Sequence, residues 1–179
     1  MKAHQSASSL TTHAQSAQVE ATAQASGKKR YALSVIVSNI AYPPTDRSHW
    51  ALGLHEIGQS SGFFLHAVIS LHENKYRWTV DGGDLPDIFY GAEGHFKIAE
   101  IDPRHVASVK MLMQKMLPPQ QEGAQCQDYV IATAYKLEEV GILPKNTFNR
   151  LLSLRLQSVN GMRAAAGPRW TNVTWRGPA

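Results

Sequence analysis

A chain of 179 residues, 43% of them hydrophobic, is long enough to bury one sizeable core and short for two independent ones. Its formal net charge of +4 lies largely towards the ends, in Lys28, Lys29 and Arg30 and in Arg163, Arg169 and Arg176. That is the pattern of solvated tails rather than of a nucleic-acid or anionic-membrane surface. The single cysteine excludes an internal disulfide, and no apolar run approaches the roughly 20 residues of a membrane span, so a cytoplasmic protein without stable membrane insertion is expected.

Residues 1–30 form a segment rich in Ser, Ala, Gln and Thr, expected to be disordered. It lacks the apolar centre of a secretory signal, and the absence of arginine before Arg30 argues against a mitochondrial presequence. From Tyr31 to Ile40, Leu33, Val35 and Val37 alternate with smaller or polar neighbours, which predicts a strand ended by Pro43-Pro44. Ser48 to Glu56 places Trp50, Leu52 and Leu54 on one face and His49, Ala51, Gly53 and His55 on the other. After a Gly/Ser turn, Phe63 to Leu71 reads as another strand, carrying His66, and Lys75 to Asp81 as its partner, closed by Gly82-Gly83 as a turn. His95 to Ile101 is the last predicted strand, and the short connections imply an antiparallel meander.

The helices follow. Asp102-Pro103 is an N-cap with proline in the first helical position, opening a helix to about Met116, and Pro118-Pro119 stops it. A polar loop then delivers Cys126 at the start of a helix whose stripe runs through Tyr129, Val130, Thr133, Ala134 and Leu137, with Gly141 and Pro144 as its end signals. A third helix is expected from about Asn146 to Ser158. Residues 31–158 thus form one α+β domain, and residues 159–179 read as an irregular basic tail in which Trp170 and Trp175 are candidates to pin it to the body.

Cys126 draws the chemistry. A thiol at a helix start faces the positive end of the dipole, which favours the nucleophilic thiolate and predicts a depressed pKa. The candidate imidazole partners precede it in the chain, so a papain-like arrangement here has to be a permuted one. His55 shares the predicted face of His49 and reads as an exposed strand histidine, while His72, His95 and His105 read as surface residues. No His pair has close metal-ligand spacing, and no lysine follows Asp81-Gly82-Gly83-Asp84 as a phosphate loop would require, so neither metal nor cofactor is expected.

Ser48-His49-Trp50-Ala51-Leu52-Gly53-Leu54, then Gly62-Phe63-Phe64-Leu65-His66-Ala67-Val68, then Gln125-Cys126-Gln127-Asp128-Tyr129-Val130 resembles the permuted papain-like superfamily of NlpC-type proteins and lecithin retinol acyltransferase-like enzymes. The likeness spans Tyr31 to Leu143 and is strongest to a group of fungal proteins of that superfamily. It implies a circularly permuted papain-like fold, with Cys126 as nucleophile, His49 as general base and His66 as the orienting third member. Papain-like enzymes also place an oxyanion-stabilising glutamine six residues before the cysteine, which here is Gln120, with Gln121 and Gln125 as competitors. Gln127 and Asp128 stand where the acyltransferases carry an acid and a histidine, and the expected activity is accordingly hydrolysis of an amide or peptide bond through an acyl thioester. The alternatives are a lipid or small-molecule acyltransferase or thioesterase using the same residues, and a binding module in which the cysteine is incidental. The expected partner is a small-molecule, peptide or lipid acyl substrate, with no nucleic acid.

Overall fold

The computed structural model describes residues 29–39, 47–72 and 75–174. Residues 1–28, Pro43-Pro44 and Trp175 lie outside them, and with them the expectations of a disordered leader, a Pro-Pro stop and a second pinning tryptophan. The described residues form a sheet of six antiparallel strands: β1 (Tyr31–Ser38), β2 (His49–Glu56), β3 (Gly62–His72), β4 (Lys75–Leu85), β5 (Gly94–Ile101) and β6 (Trp170–Asn172). The order is β4-β3-β2-β1-β5-β6, so the first four make the expected meander and β5 returns to the free side of β1. Four α-helices lie between β5 and β6: α1 (Val106–Lys115), α2 (Cys126–Glu139), α3 (Thr147–Leu152) and α4 (Val159–Ala166).

Strand alternation sorts the core. Leu33, Val35 and Val37 of β1, Trp50, Leu52 and Leu54 of β2 and Phe63, Leu65 and Ala67 of β3 join one cluster with Val109 and Met113 of α1 and Tyr129, Val130, Ala134 and Leu137 of α2. The Tyr129 hydroxyl donates to the Met113 carbonyl at 2.6 Å, tying α2 to α1. Truncating a side chain as fully enclosed as Trp50 costs roughly 3–5 kcal/mol. The second sheet face is covered by the connection between β4 and β5, whose Ile88, Phe89 and Ala92 pack with Ile36, Ala51 and Phe64. Its ends are fixed by hydrogen bonds from Ile88 N–H to Ser60 O and from Glu93 N–H to Val37 O, both 2.9 Å.

Asp102 caps the turn before α1 as expected, its carboxylate accepting from Arg104 N–H at 2.9 Å. Three other expectations need correction. Gly82-Gly83 is no turn: both residues pair within β4, opposite Leu65 and Phe64. Gly82 is required there because φ is +127° and a Cβ would lie 2.2 Å from Phe64 O, a close approach only glycine allows. The helix expected over 146–158 ends early, at Leu152, and the chain cannot continue it because Leu156 turns to φ +71° and its N–H donates to the buried Gln127 side chain, while Gln157 O accepts from Ser48 N–H. Long-range hydrogen bonds thus outcompete helix continuation. The segment 159–179 is not an irregular tail over its described length: α4 and β6 lie in it, and Met162 and Ala166 are buried in the main core, with Trp170 packed against it. The domain therefore extends past residue 158.

Candidate active site

β2 begins at His49 and α2 begins at Cys126, and both residues line one cavity of 430 Å³ together with Ser48, His66 and Gln125. In β2 and β3 the register sets Ala51 opposite His66, and the alternation of β2 puts His49 on that same face. The rings meet edge to face, with His49 Nε2 2.8 Å from His66 Nδ1. Beyond them, His66 Nε2 lies 3.9 Å from the exposed carboxylate of Asp81, its register partner on β4. Sequence reading placed Asp81 at the end of a strand and gave it no role, and only its pairing with His66 singles it out.

Gln127 holds the two halves of this arrangement together. Its side chain is fully buried, donates from Nε2 to Ser48 O at 2.8 Å and accepts from Leu156 N–H at 2.6 Å. It follows the cysteine in sequence and grips the residue that precedes His49. Ser48 is itself fixed, its hydroxyl donating to Gln157 O at 2.8 Å and accepting from Trp50 Nε1 at 2.9 Å. The first turn of α2 is clamped from outside by Asp128, which accepts Gln125 N–H at 2.8 Å and pairs with Arg155 through contacts of 2.6 and 2.9 Å. No spacing rule in the sequence marked Gln127. Its signal was a polar side chain in the second position of a helix that is otherwise apolar on that side.

The electrostatics differ from the depressed thiol pKa expected for a helix start. Burial pushes the Cys126 thiol above its ordinary value, outweighing the backbone N–H groups of Trp50, Gln127 and Cys126 that act to lower it. Burial and the neighbouring His66 bring His49 down to about 4, and burial also lowers His66. At neutral pH these shifts leave the cavity with a thiol and an uncharged imidazole pair, rather than a thiolate and an imidazolium.

Gln120 is not brought to this site: it does not line the cavity, and its amide donates to Trp78 O at 3.0 Å. Gln125, adjacent to the cysteine, does line it. Nor is His55 an exposed decoy. It is 7% exposed, its Nδ1–H donates to Glu56 O at 3.1 Å, and Nε2 is left to accept the Ser34 hydroxyl at 3.2 Å. His95, read as a surface residue, stacks on Phe89 with centroids 4.1 Å apart and has a pKa brought down to about 4 by burial and His55. Both rings were misread because strand alternation does not show that the β4–β5 connection folds back over this sheet face. His105 is exposed, as expected. Among the described residues, no three His, Cys, Asp or Glu side chains group as metal ligands, and no helix is long and apolar enough to cross a membrane.

Four buried or half-buried histidines with lowered pKa values make stability pH-dependent. The unfolded chain takes up these protons near the ordinary value of 6.5, while the folded chain resists them, at His49 and His95 down to about 4. Stability is therefore retained above about pH 6.5 and lost as the pH falls towards 4, each histidine contributing up to about 1.4 kcal/mol per pH unit. Urea midpoints should hold between about pH 7.5 and 6.5 and then fall towards about pH 4.5; constant midpoints over the whole range would contradict the buried, neutral rings.

No protein-family model, curated protein or solved structure matches this chain.

Proposed function

We propose that the chain is a cysteine-dependent hydrolase of permuted papain-like fold, cleaving an amide or peptide bond through an acyl thioester on Cys126. The observation that carries this reading is the 2.8 Å contact between His49 and His66 on the cavity that Cys126 also lines. A nucleophile, a base and a group that orients the base are the parts acyl transfer requires.

The tautomers follow from the carboxylate near one end of the histidine pair and the hydrogen bond within it. The Asp81 carboxylate favours the proton of His66 on Nε2, so His66 Nδ1 accepts and His49 donates from Nε2. His49 Nδ1 is then an unprotonated base on the other side of the ring. In the first step the Cys126 S–H proton passes to His49 while sulfur bonds to the substrate carbonyl carbon. Backbone N–H groups at the start of α2 supply positive potential for the resulting oxyanion. The C–N bond breaks as His49 returns the proton to the amine, leaving the thioester. Water then attacks, giving its proton to His49, and the C–S bond breaks as sulfur recovers that proton and releases the acid. With the thiol raised and the imidazole lowered, the proton moves only as the carbonyl is attacked.

Two measurements test this. Cys126→Ser should keep the fold and lose at least about a hundredfold in kcat/KM on any amide the wild type cleaves; equal rates would remove the cysteine from the chemistry. Because His49 is held at about 4, the acid limb of kcat/KM should fall near pH 4 rather than near 6.5. The sign is that of a base: activity is present above this pKa and lost as His49 takes up a proton. An acid limb near 6.5 would assign the base elsewhere.

A further inference from the structure

The cavity beside Cys126 is not shaped for a polar substrate. Its floor on the second sheet face is Ile36, Ala51, Phe64 and Val68, and Tyr90 and Ala92 of the β4–β5 connection form the opposite wall. Along β2 the side chains on this face shrink from His49 to Ala51 to Gly53. The cavity closes after Ala51: Gly53 does not line it, because the Cδ1 atoms of Ile36 and Ile88 fill the space above it, 2.6 and 2.8 Å from where a Cβ on Gly53 would sit.

Charge completes the specification. The described lining residues include no acid, and His49 and His66 are uncharged at neutral pH. Arg47, on the segment entering β2, is the only permanent charge among them. An ammonium group in this groove would lose its hydration with no acid among the described lining residues to replace it, whereas an apolar group would gain by leaving water.

We infer that the substrate presents an uncharged, apolar group of side-chain size next to its scissile carbonyl, and that this group occupies the apolar groove beside His49, over Ala51, Phe64 and Val68. The inference rests on the hydrolase reading for the bond that is cleaved, and on the cavity alone for the group that is bound. The same chemistry can come from an aromatic or branched amino-acid side chain or from a short aliphatic acyl chain, and the experiment separates these sources.

Aminomethylcoumarin amides of N-acetylated glycine, phenylalanine, leucine, lysine and glutamate, with the octanoyl amide as the straight-chain arm, measure the preference directly. Phenylalanine and leucine should exceed glycine in kcat/KM by at least about tenfold, and lysine should fall below it. An octanoyl amide cleaved faster than either identifies the acyl chain as the source. Ala51→Leu, or Val68→Phe should the first fail to fold, should erase the advantage of the large apolar groups by filling the groove. Binding to Cys126→Ala needs no catalysis: N-acetylphenylalanine methylamide should bind at least about tenfold more tightly than the glycine analogue. Equal binding of the two, or tighter binding of a lysine or glutamate analogue, overturns the inference even if Cys126 is acylated. Preferential binding of the phenylalanine probe with no turnover of any amide supports the groove's preference and sinks the hydrolase reading.

Discussion

Replacing His49 with alanine is expected to lower kcat by roughly 10²–10⁴-fold while leaving a folded protein, because general-base assistance is worth that much and a raised thiol pKa leaves little thiolate to act alone. His66→Ala should have a smaller effect. His66 touches His49 and not the reacting atoms, so its loss frees the base ring to rotate and to change tautomer without removing the base. Its effect should fall on kcat more than on KM, and His66→Asn or His66→Gln should recover part of the rate by restoring a hydrogen bond to His49 Nε2. His55→Ala tests the assignment from the other side, since His55 bonds to Ser34 and to its own neighbour's carbonyl and does not line the cavity. That variant should lose stability and retain its specific activity. An inactive His55→Ala beside an active His66→Ala would exchange the two roles.

Gln127→Ala is expected to be the most damaging substitution outside the reacting groups. It strips Ser48 O of its amide donor and Leu156 N–H of its acceptor, and it leaves a void at a fully enclosed position. Each unsatisfied buried group costs about 1–3 kcal/mol, so a loss of about 3 kcal/mol and a fall in Tm of roughly 6–12 °C are expected for a domain of this size. The catalytic effect should exceed what partial unfolding explains. The lost bond joins the residue after the nucleophile to the residue before the base, and a shift of about 1 Å between such groups costs on the order of 10²-fold. Gln127→Met fills the space without the hydrogen bonds. It should recover part of the Tm and little of kcat, whereas recovery of both would make Gln127 a matter of packing alone.

The parts of this fold that were legible in the sequence are those determined by near neighbours. β1 and β2 follow from alternation that matches one buried core face, and α2 from a helical stripe between a polar loop and Gly141, where φ is +76°. The end of β4 was not legible, because the reason for its glycines is the Phe64 backbone on the adjoining strand, which composition alone cannot reveal. The break after α3 depends on Gln127 and Ser48, respectively 29 residues from Leu156 and 109 from Gln157.

Within the site, Cys126, His49 and His66 were found by their local contexts, and the structure brings all three to one cavity. Their protonation was misjudged for a physical reason. The helix start and the neighbouring imidazole are visible in the chain, but the burial that outweighs them is set by the sheet and by the connection laid across its second face. The same covering segment converts His55 and His95 from expected surface residues into packed rings. Gln120 does not line the cavity: its position was taken from an interval, and the loop between α1 and α2 ties its amide to the backbone carbonyl of Trp78.

The most direct test of a cysteine acyl-enzyme is to intercept it. An activated ester such as p-nitrophenyl acetate, mixed with the full-length chain at neutral pH and quenched in acid, should add one acyl group, and peptide mass spectrometry should place it on Cys126. The adduct should be absent in Cys126→Ala and should form and decay more slowly in His49→Ala, since the same base serves both steps. Acylation confined to lysines, or an adduct on Cys126 whose formation and decay are unchanged by His49→Ala, would contradict the account.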